Sequence, residues 1–507
     1  MKTMESFKYG IDRLTVDKVL KISREHLKGI LSDEVRERII NNHKAIRSIV
    51  KGDKLVYSIN TGFGSLCTTR ITKEETVKLQ ENLLKSHSVG VGPPIEQEIS
   101  KLMLILKVHA LSMGYSGISI EVIERICWHI DNNYIPLVPE QGSVGASGDL
   151  APLAHLFLPL IGLGFLSKDG KNFIPTEIVL RENNLEPIKL QAKEGLALIN
   201  GTQFITAHAI KVSKKLFSCL DHADIIGALT LESYLASPQP FVEKLIKLRP
   251  HNGALIVAER MRRLLENSEM VESHKDCGRV QDPYSIRCIP QVHGASRDAL
   301  FHFNEILECE LNSVTDNPII FSEDETYSGG NFHGQPLALP LDYISIAASE
   351  LGNISDRRIF LLLEGKWDLP PNLIHNPGLN SGFMLTQYTS AALVSENKTL
   401  CFPASVDSIP TGAGQEDHVS MAPISARKAL KIIDNLEKIL AIELLCACQA
   451  FDFRRPLKSS EILEACHNYI REKIPFVKED TLLYDYINLA VEIIRNNELI
   501  NITQQLQ

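Results

Sequence analysis

The sequence predicts a mainly α-helical protein organised around a long antiparallel helix bundle. Apolar residues recur at helical spacing along most of the chain, whereas strand-like alternation is limited to short pieces such as residues 172–175 and 319–321. Long periodic segments lie at residues 204–236, 241–267, 295–313, 342–365, 385–400 and 425–451. Several of them exceed about 20 residues, which is longer than the usual globular helix and typical of bundles. The pattern predicts two domains, a smaller α-rich N-terminal domain of residues 1–203 and a long-helix bundle with C-terminal helices of residues 204–507.

Shorter helices are expected within the N-terminal domain. Apolar residues at helical spacing between Ser32 and Gly52 predict a helix with Ser32 as its N-cap and Gly52 as its C-terminal stop. Residues 72–75, Thr-Lys-Glu-Glu, form a capping box that predicts the start of a second helix. Two more helices are predicted at residues 95–112 and 119–130, because glycines separate these two periodic segments.

The composition is that of a soluble globular protein. Of 507 residues, 44% are hydrophobic and 23% are charged, and the formal net charge is -9. An acidic chain gives no electrostatic reason to expect binding to nucleic acid or to an anionic membrane. The N-terminus lacks the apolar core of a signal peptide, and the longest charge-free apolar run, residues 150–167, is broken by prolines and glycines. Ten cysteines without a Cys-x-x-Cys pair are expected to be reduced thiols of a cytoplasmic protein.

Four polar, glycine-containing segments interrupt the helical pattern. They are residues 57–65, 142–149, 279–294 and 328–336. Loops that are held by a rigid scaffold are where binding and catalytic residues usually lie. We therefore expect these four segments to form a single composite site on an otherwise helical protein.

Residues 142–148, Gly-Ser-Val-Gly-Ala-Ser-Gly, are the most informative of these segments. Glycine loses the most conformational freedom on folding, so this composition disfavours helix and strand, but it lets the backbone bend sharply. In such a bend the amide nitrogen of Gly148 can reach the carbonyl carbon of Ala146. Ring closure with loss of water, including the hydroxyl of Ser147, would leave a five-membered ring with an exocyclic methylene. That ring is an electrophile, which none of the twenty side chains supplies.

Three other interpretations of this segment compete with ring formation. A phosphate-binding loop would need a lysine after Gly148, and none is present. A hydrolase nucleophile elbow would need a glycine where Asp149 stands. A plain flexible turn explains the central triplet alone, but the continuation through residues 149–155, Asp-Leu-Ala-Pro-Leu-Ala-His, makes the full string far more specific.

With that continuation, residues 142–155 resemble the segment that forms 4-methylideneimidazole-5-one (MIO) in the aromatic amino acid ammonia-lyase family. The resemblance extends from residue 57 to the C-terminal helices. It implies the fumarase/aspartase-like superfamily architecture, with an MIO ring made from Ala146, Ser147 and Gly148 in the N-terminal domain. It also implies an amino acid as the substrate, no external cofactor, and a homotetramer whose active sites are shared between subunits.

The resemblance implies roles for residues in the other loops. Tyr57, in Tyr-Ser-Ile-Asn-Thr-Gly-Phe-Gly, matches the catalytic tyrosine of a mobile loop, and a nearby cation or donor must favour its phenolate. Asn200, in Asn-Gly-Thr-Gln, matches an asparagine whose amide donates to the carbonyl oxygen of the ring. Arg287 matches a guanidinium that binds the substrate carboxylate, and Gln281 and Tyr284 match residues that contact the ring or the amino group.

Two further segments complete the implied site. Phe332, in Gly-Gly-Asn-Phe-His-Gly, matches a residue that packs the pocket near the ring. Glu416, in Gln-Glu-Asp-His, matches a glutamate that faces the substrate side chain. This polar cluster could equally bind a metal, but no His-x-x-x-His or cysteine pair supplements it, so no metal is expected.

The residue pair after the mobile loop indicates the substrate. In the family, phenylalanine enzymes have Phe-Leu there, tyrosine enzymes His-Leu and histidine enzymes Ser-His, and this chain has Ser86-His87. Glu416 can pair with an imidazole N–H, and a polar pocket rejects a phenyl ring because its buried groups would be left unpaired. Gln335 and Gly414 depart from the histidine pattern, which has Glu and Asn at those positions. The implied reaction is the elimination of ammonia from L-histidine to give trans-urocanate, the first step of histidine degradation.

Other activities stay open at this point. The chain could be a phenylalanine or tyrosine ammonia-lyase, a lyase acting on a modified histidine, or a 2,3-aminomutase, which adds the ammonia back at the β-carbon. A non-catalytic helical scaffold is disfavoured because it predicts the loss of motif residues, whereas Tyr57, Asn200, Arg287 and the Ala-Ser-Gly triplet are all present.

Overall fold

The computed structural model describes residues 5–51 and 73–506 and is mainly α-helical, which confirms the predicted fold class. The earlier helices are α1 (Val16–Ser23), α2 (Asp33–Lys51), α3 (Lys73–His87), α4 (Gln97–Ser112), α5 (Ile120–Asp131), α6 (Leu150–Phe157), α7 (Thr176–Glu182) and α8 (Glu194–Ile199). The later helices are α9 (Gln203–Ser233), α10 (Glu243–Ile246), α11 (Asn252–Leu264), α12 (Glu269–Glu272), α13 (Tyr284–Arg287), α14 (Ile289–Leu311), α15 (Gln335–Leu363), α16 (Met384–Leu400), α17 (Ala422–Asp452), α18 (Glu461–Lys473), α19 (Leu483–Arg495) and α20 (Glu498–Gln505).

The strands in the described residues are short and form four small sheets. They are β1 (Ser6–Lys8), β2 (Lys28–Ile30), β3 (Val91–Pro94), β4 (Ile135–Pro136), β5 (Pro139–Gln141), β6 (Phe165–Ser167), β7 (Ile174–Pro175), β8 (Ile319–Ile320) and β9 (Thr326–Tyr327). Strands β1 and β2 pair in parallel, whereas β3–β5, β4–β6–β7 and β8–β9 are antiparallel. Strand β5 ends directly before the glycine segment and pairs with β3, with Val91 opposite Gln141.

The chain divides into two compact units. Unit 1 consists of Met1–Lys211, Glu305–Leu341 and Pro403–Arg427, and unit 2 of Val212–Asn304, Asp342–Phe402 and Lys428–Gln507. Each unit is therefore assembled from three separate stretches of sequence. The division into domains of residues 1–203 and 204–507 stays a prediction.

Unit 1 is built on helices that the sequence pattern predicted. The hydroxyl of Ser32 accepts a hydrogen bond from the backbone N–H of Val35 at 3.4 Å, which confirms Ser32 as the N-cap of α2. Helix α4 is buried from Ile99 to Ser112, because neighbouring elements cover all of its faces. Two lysines, Lys101 and Lys107, are among these buried residues and require polar partners there.

Three pairs of long helices in unit 2 are antiparallel, as the predicted bundle requires. In each pair the hydrogen-bonded residues run in opposite order along the two sequences. The pairs are Ser213–Asn304 and Asp224–His293 between α9 and α14, Ser296–Ala347 and His293–Arg358 between α14 and α15, and Asn397–Asn435 and Thr386–Cys446 between α16 and α17.

One predicted long helix, residues 241–267, is wrong as a single element. The structure contains α10 and α11 in its place, and residues between Ile246 and Asn252 form turns. Pro250 is the physical reason, because proline lacks an N–H and restricts the residue before it to extended conformations. Residues 279–294, which were expected to be a loop, instead contain α13 and the start of α14.

The bundle encloses a fully buried ion pair. Arg358 in α15 and Glu443 in α17 are both inaccessible to solvent, and the guanidinium donates to both carboxylate oxygens, with Nη2 2.8 Å from Oε2. The hydroxyls of Thr230 and Ser355 also donate to Glu443, at 2.8 and 2.6 Å. The carboxylate is therefore fully hydrogen-bonded as long as Arg358 is present.

Replacing Arg358 with Met is expected to lower the free energy of unfolding by roughly 3 kcal/mol, because Glu443 would stay buried without its counter-charge. Urea unfolding followed by circular dichroism measures the change. The matched control is R13M, since the ion pair of Arg13 with Glu308 is exposed, with 70% and 39% of the two side chains accessible. That control should change stability by less than about 1 kcal/mol. Equal effects of the two substitutions would contradict the argument.

No helix in the described part of the chain combines the length and the apolar composition that crossing a membrane requires.

Candidate functional site

The glycine segment of unit 1 forms a tight bend with left-handed backbone at its glycines. Gly145 has φ +70° and Gly148 has φ +77°, conformations that other residues rarely adopt. A Cβ at Gly148 would lie 2.2 Å from the carbonyl oxygen of Gly201, and one at Gly145 would lie 2.4 Å from Oγ of Ser420. Both positions therefore require glycine for conformational and for steric reasons.

Serine hydroxyls stabilise this bend through hydrogen bonds within it and to the segment before α17. The Ser143 hydroxyl donates to the carbonyl oxygen of Gly148 at 3.3 Å and accepts from the N–H of Gly145 at 3.2 Å. The Ser420 hydroxyl donates to the carbonyl oxygen of Gly145 at 3.2 Å. Ala146, between these restraints, packs with Val419 and Met421 in a small apolar cluster. The triplet of residues 146–148 is thus held in a bent conformation from both sides.

The asparagine turn after α8 lies against this triplet. Asn200 is buried, and its Nδ2 donates to the carbonyl oxygen of Ser147 at 2.8 Å. The backbone N–H of Asp149 donates to the carbonyl oxygen of Gly201 at 2.8 Å, so the two segments are joined at adjacent peptides. If residues 146–148 cyclise, the carbonyl oxygen of Ser147 becomes the ring carbonyl. The amide of Asn200 is in position to donate to it.

Glu416 lies on the other side of the same serine. The Ser147 hydroxyl donates to Oε1 of Glu416 at 2.8 Å, and the Thr411 hydroxyl donates to Oε2 at 2.6 Å. The N–H of Thr411 also donates to the carbonyl oxygen of Glu416 at 3.0 Å. The loop is therefore closed on itself and holds the glutamate side chain against the hydroxyl that ring formation would expel.

His87, the last residue of α3, belongs to the same group of side chains. Its Nδ1 lies 3.0 Å from the hydroxyl of Ser86. Burial lowers the pKa of His87, and a backbone hydrogen bond to Leu83 and the charge of Glu416 oppose this shift. The imidazole therefore lies within electrostatic reach of Glu416, and its neutral form is favoured. The structure thus brings His87, Ser147, Asn200 and Glu416 into one site in unit 1.

Residues 146–148 fit the predicted ring on geometric grounds. Gly148 has a conformation and surroundings that exclude any side chain, and the Ser147 carbonyl oxygen already accepts from an amide donor. The Ser147 hydroxyl faces Glu416 and is only half-buried. The bend, the amide donor and the hydroxyl that faces Glu416 are therefore compatible with the predicted ring.

Three predicted positions in unit 1 have less defined surroundings. Phe332 is half-buried in the turn that precedes α15, and its packing against the ring stays a prediction. Gln335 donates through Nε2 to the carbonyl oxygen of Ser405 at 3.2 Å, while its buried Oε1 has no hydrogen-bond partner among the described residues. Gly414 is exposed with φ +86°, and a Cβ there would meet no atom within 4 Å. Tyr57 lies outside the described residues.

The remaining predicted residues, Gln281, Tyr284 and Arg287, lie together in unit 2. They line a cavity of about 780 Å³ with Tyr234, Arg279, Asp282, Pro283, Lys366 and Trp367. The guanidinium of Arg287 lies 4.4 Å from the centre of the Tyr284 ring. Its buried Nε has no hydrogen-bond partner among the described residues. A half-buried guanidinium that lines a cavity is suited to bind a carboxylate.

Comparisons with known proteins match nearly the whole chain. A family model described as "Aromatic amino acid lyase" matches residues 14–472. The chain belongs to the aromatic amino acid lyase family. Histidine ammonia-lyase of Sorangium cellulosum is 48% identical over 491 residues, covering 95% of each chain, and that of Natranaerobius thermophilus is 46% identical over 93% of each.

Solved structures of family members have the same fold. Histidine ammonia-lyase from Trypanosoma cruzi is 41% identical and superposes with a TM-score of 0.90, covering 99% of this chain and 95% of the other. Tyrosine aminomutase from Streptomyces globisporus is 34% identical, with a TM-score of 0.93 and 99% of each chain covered. The two activities share one architecture, so the fold of this aromatic amino acid lyase does not by itself select between them.

Two buried ionisable residues of this family member were not singled out from the sequence. Asp149 directly follows the triplet, and its Oδ2 accepts from the N–H groups of Phe204 and Ile205 at 2.8 and 3.1 Å, at the start of α9. Lys107 donates to the carbonyl oxygen of Asn200 at 2.6 Å. A signal existed for the second residue, because Lys107 interrupts the apolar stretch of residues 102–111.

The protonation of Asp149 is expected to make stability pH-dependent. Burial raises its pKa from 3.8 to about 8, with hydrogen bonds from Ile205 and Phe204 opposing the shift. Between these two pH values the folded protein holds a proton that the unfolded chain has lost, so stability falls as the pH rises through this range. In D149N the side chain can still accept both N–H groups, and this part of the fall should vanish in urea unfolding measured across the range.

The control for this measurement is D169N. Hydrogen bonds from the backbone of Asn172 and Lys171 lower the pKa of the exposed Asp169, so it does not titrate in that range when folded. D169N should therefore retain the wild-type fall between pH 4 and 8 that the Asp149 pKa predicts. A D149N curve that matches the wild-type curve would rule out Asp149 as its source.

Proposed function

We propose that this aromatic amino acid lyase is a histidine ammonia-lyase, which eliminates ammonia from L-histidine without oxidation and gives trans-urocanate. The observation that carries the proposal is the position of Glu416, whose carboxylate lies 2.8 Å from the Ser147 hydroxyl and within electrostatic reach of His87. The side chain of a substrate bound near Ser147 would therefore contact the carboxylate of Glu416 and the imidazole of His87. Relatives named histidine ammonia-lyase, 48% and 46% identical to this chain, support the same substrate.

The proposed electrophile is an MIO ring made from Ala146, Ser147 and Gly148, and no external cofactor is required. When formed, the ring supplies an electron-poor methylene to which the amino group of the substrate adds, which makes that group a better leaving group. Asn200 would donate to the ring carbonyl, because its Nδ2 already lies 2.8 Å from the Ser147 oxygen. The left-handed backbone that glycine permits at residue 148 keeps the Ser147 oxygen beside the Asn200 amide.

The other residues bind the substrate and move its proton. Arg287, which lines the cavity, would pair with the α-carboxylate through its guanidinium, and Gln281 and Tyr284 in the same cavity would contact the amino group or the ring. Tyr57 would remove the β-proton, which requires a phenol held close to its phenolate form. Phe332 would pack the pocket near the ring.

The substrate side chain would be oriented by His87 and Glu416. A carboxylate can accept from the imidazole N–H of histidine, whereas a phenyl ring would leave both polar groups without partners. The lowered pKa of His87 keeps its imidazole neutral, so that one nitrogen can accept and the other can donate. The departures at Gln335 and Gly414 leave a modified histidine as the nearest alternative substrate.

The test is to supply the purified protein with L-histidine, L-phenylalanine or L-tyrosine and to follow the ultraviolet absorbance of the unsaturated acid. The expected result is urocanate and equimolar ammonia from histidine, with little turnover of the other two. Turnover of phenylalanine or tyrosine in place of histidine would overturn the substrate assignment. Because a tyrosine aminomutase shares this fold, the products are also analysed for a β-amino acid. Accumulation of a β-amino acid would mean that the protein is an aminomutase and not a lyase.

We also propose a cytoplasmic homotetramer with active sites shared between subunits. Helices α15 and α16 carry exposed apolar side chains at helical spacing, which a single chain would not be expected to leave uncovered. They are Tyr343 and Ile346, 48% and 50% exposed, and Leu385 and Tyr388, 53% and 58% exposed. The nine cysteines in the described residues are free thiols, as a reducing compartment favours.

Replacing Ile346 with Glu is expected to convert tetramers into smaller species, because association would bury an unpaired carboxylate. Light scattering coupled to size-exclusion chromatography measures the mass of the assembly. The control is L482E, since Leu482 is also exposed but lies just before α19, away from the apolar faces of α15 and α16 in the sequence. An I346E protein that keeps the wild-type mass would contradict the role of this face.

A further inference from the structure

A buried lysine lies directly behind the asparagine turn of unit 1. Lys107 in α4 is 1% exposed, and its Nζ donates to the carbonyl oxygen of Asn200 at 2.6 Å. The next polar atom, Oε1 of Gln203, lies at 3.5 Å. Burying an ammonium group is costly unless it is paired or hydrogen-bonded. The strongest contact that offsets this cost is therefore made with the backbone of the turn.

The other charges nearby do not replace that contact. Asp316 already accepts from Nζ of Lys193 at 2.6 Å and from the hydroxyl of Ser116 at 2.8 Å. Asp149 accepts from two backbone N–H groups through Oδ2. Burial and the charge of Lys193 lower the pKa of Lys107 to about 7, against the charges of Asp316 and Asp149. In either protonation state the nitrogen retains N–H donors for the Asn200 carbonyl.

Asn200 transmits this restraint to the segment that forms the ring. Its backbone oxygen is held by Lys107, and its side-chain Nδ2 donates to the Ser147 oxygen at 2.8 Å. The opposite end of the amide, Oδ1, is buried and has no hydrogen-bond partner among the described residues. Among the described residues no hydrogen bond to Oδ1 therefore fixes the orientation of the amide, and its position depends on where the backbone of Asn200 is held.

The oxygen that Asn200 contacts belongs to the peptide that reacts. Ring closure forms a bond between Gly148 N and the carbonyl carbon of Ala146, and the oxygen of Ala146 leaves as water with the protons of Gly148 N and Ser147 N. A second water carries away the Ser147 hydroxyl and the α-hydrogen, which leaves the exocyclic double bond. As Gly148 N loses its proton, amide resonance moves negative charge onto the Ser147 oxygen. A donor fixed at that oxygen stabilises this charge.

We propose that Lys107 is a positioning residue for ring formation, which holds the Asn200 turn so that the Asn200 amide meets the carbonyl oxygen of Ser147. The proposal rests on the proposed function, because it requires that residues 146–148 cyclise. Lys107 touches neither the substrate nor the reacting atoms and acts only through Asn200. Methionine in its place would keep most of the apolar part of the side chain but leave the Asn200 carbonyl buried without this donor.

The test measures ring formation itself and not only activity. Wild-type and K107M chains are made by cell-free translation, quenched at intervals and weighed by intact-mass spectrometry, where a cyclised chain is lighter by two water molecules. K107M is expected to cyclise roughly ten- to a hundredfold more slowly, the scale of penalty for a misplaced reacting group. The matched control is K101M, which removes a buried lysine of the same helix whose partners are Glu25 and Asn133.

Each outcome decides between the two proposals. A wild-type chain that keeps its full translated mass overturns the proposed function, and with it the role of Lys107. A wild-type chain that becomes lighter while K107M does so at the same rate overturns only the role of Lys107. A purely structural lysine would lower the thermal midpoint but leave the cyclisation rate of the folded protein unchanged.

Two further measurements keep the test decisive. If K107M does not fold, K107Q replaces it, since its amide is one bond too short to reach the Asn200 oxygen, and cyclisation at the wild-type rate would again overturn the proposal. In the cyclised fraction of the variant, kcat should fall while KM stays near the wild-type value. That split is expected because Asn200 stabilises charge that develops during the reaction and does not bind the free substrate.

Discussion

Replacing Ser147 with Ala is expected to lower kcat/KM for histidine by roughly 10⁴-fold or more, because a covalent electrophile is lost and not merely a contact. Without a β-hydroxyl the second dehydration cannot occur, so no exocyclic methylene forms. The fold should persist, since the Ser147 hydroxyl bonds only to Glu416 in the described structure. Intact mass, circular dichroism and turnover of histidine are measured on the same preparation.

The matched control for S147A is S143A. It removes a neighbouring hydroxyl that contacts Gly148 and Gly145 but is not expelled by cyclisation. The S143A chain should still become two waters lighter and retain far more activity than S147A. Turnover by S147A at a rate near that of S143A would show that the reaction does not depend on a ring made from this serine.

Replacing Arg287 with Met is expected to lower kcat/KM by about 10³-fold, because the substrate carboxylate would lose its counter-charge and two N–H donors inside a cavity. The loss should appear mainly in KM, since the carboxylate is bound alike in the substrate and the transition state. An R287K variant should lie between wild type and R287M, as lysine keeps the charge but not the planar fork.

The role of Arg287 is tested independently by comparing two inhibitors. Histamine has the imidazole and the amine of histidine but no carboxylate, so R287M should leave its inhibition constant nearly unchanged. A carboxylate-bearing analogue such as imidazole propionate should bind far more weakly to R287M than to wild type. Equal losses for the two compounds would mean that Arg287 supports the cavity and does not recognise the carboxylate.

The local structure of residues 142–148 could be predicted because glycine disfavours helix and strand and allows left-handed backbone. Small residues at 142–148 disfavour regular structure, and the structure indeed places left-handed glycines at 145 and 148. The proximity of Asn200 and Glu416 to Ser147 was predicted only from the resemblance. Their separations in sequence, 53 and 269 residues, place them beyond the reach of periodicity or turn rules.

Other features could not be predicted because they depend on tertiary structure. The apolar periodicity of residues 241–267 led to the prediction of one continuous helix despite Pro250. The structure has two helices there, and Pro250 lies in the turn between them. The apolar stretch of residues 102–111 predicted a buried helix but not which carbonyl its lysine meets, since that depends on a turn 93 residues away. Phe332 lies in a turn, and the sequence pattern does not indicate which residues pack around its side chain.

The close approach of Gly148 to Gly201 has a consequence for protein engineering. A tripeptide of Ala, Ser and Gly grafted into a foreign loop would lack the neighbouring carbonyl of Gly201 and the amide of Asn200, and it would relax to an ordinary open turn. A transplantable unit would have to include both paired segments, together with Lys107, which donates to the carbonyl oxygen of Asn200. If residues 146–148 cyclise as we propose, the reaction depends on the paired backbone segments at Gly148 and Gly201 and not on the three residues alone.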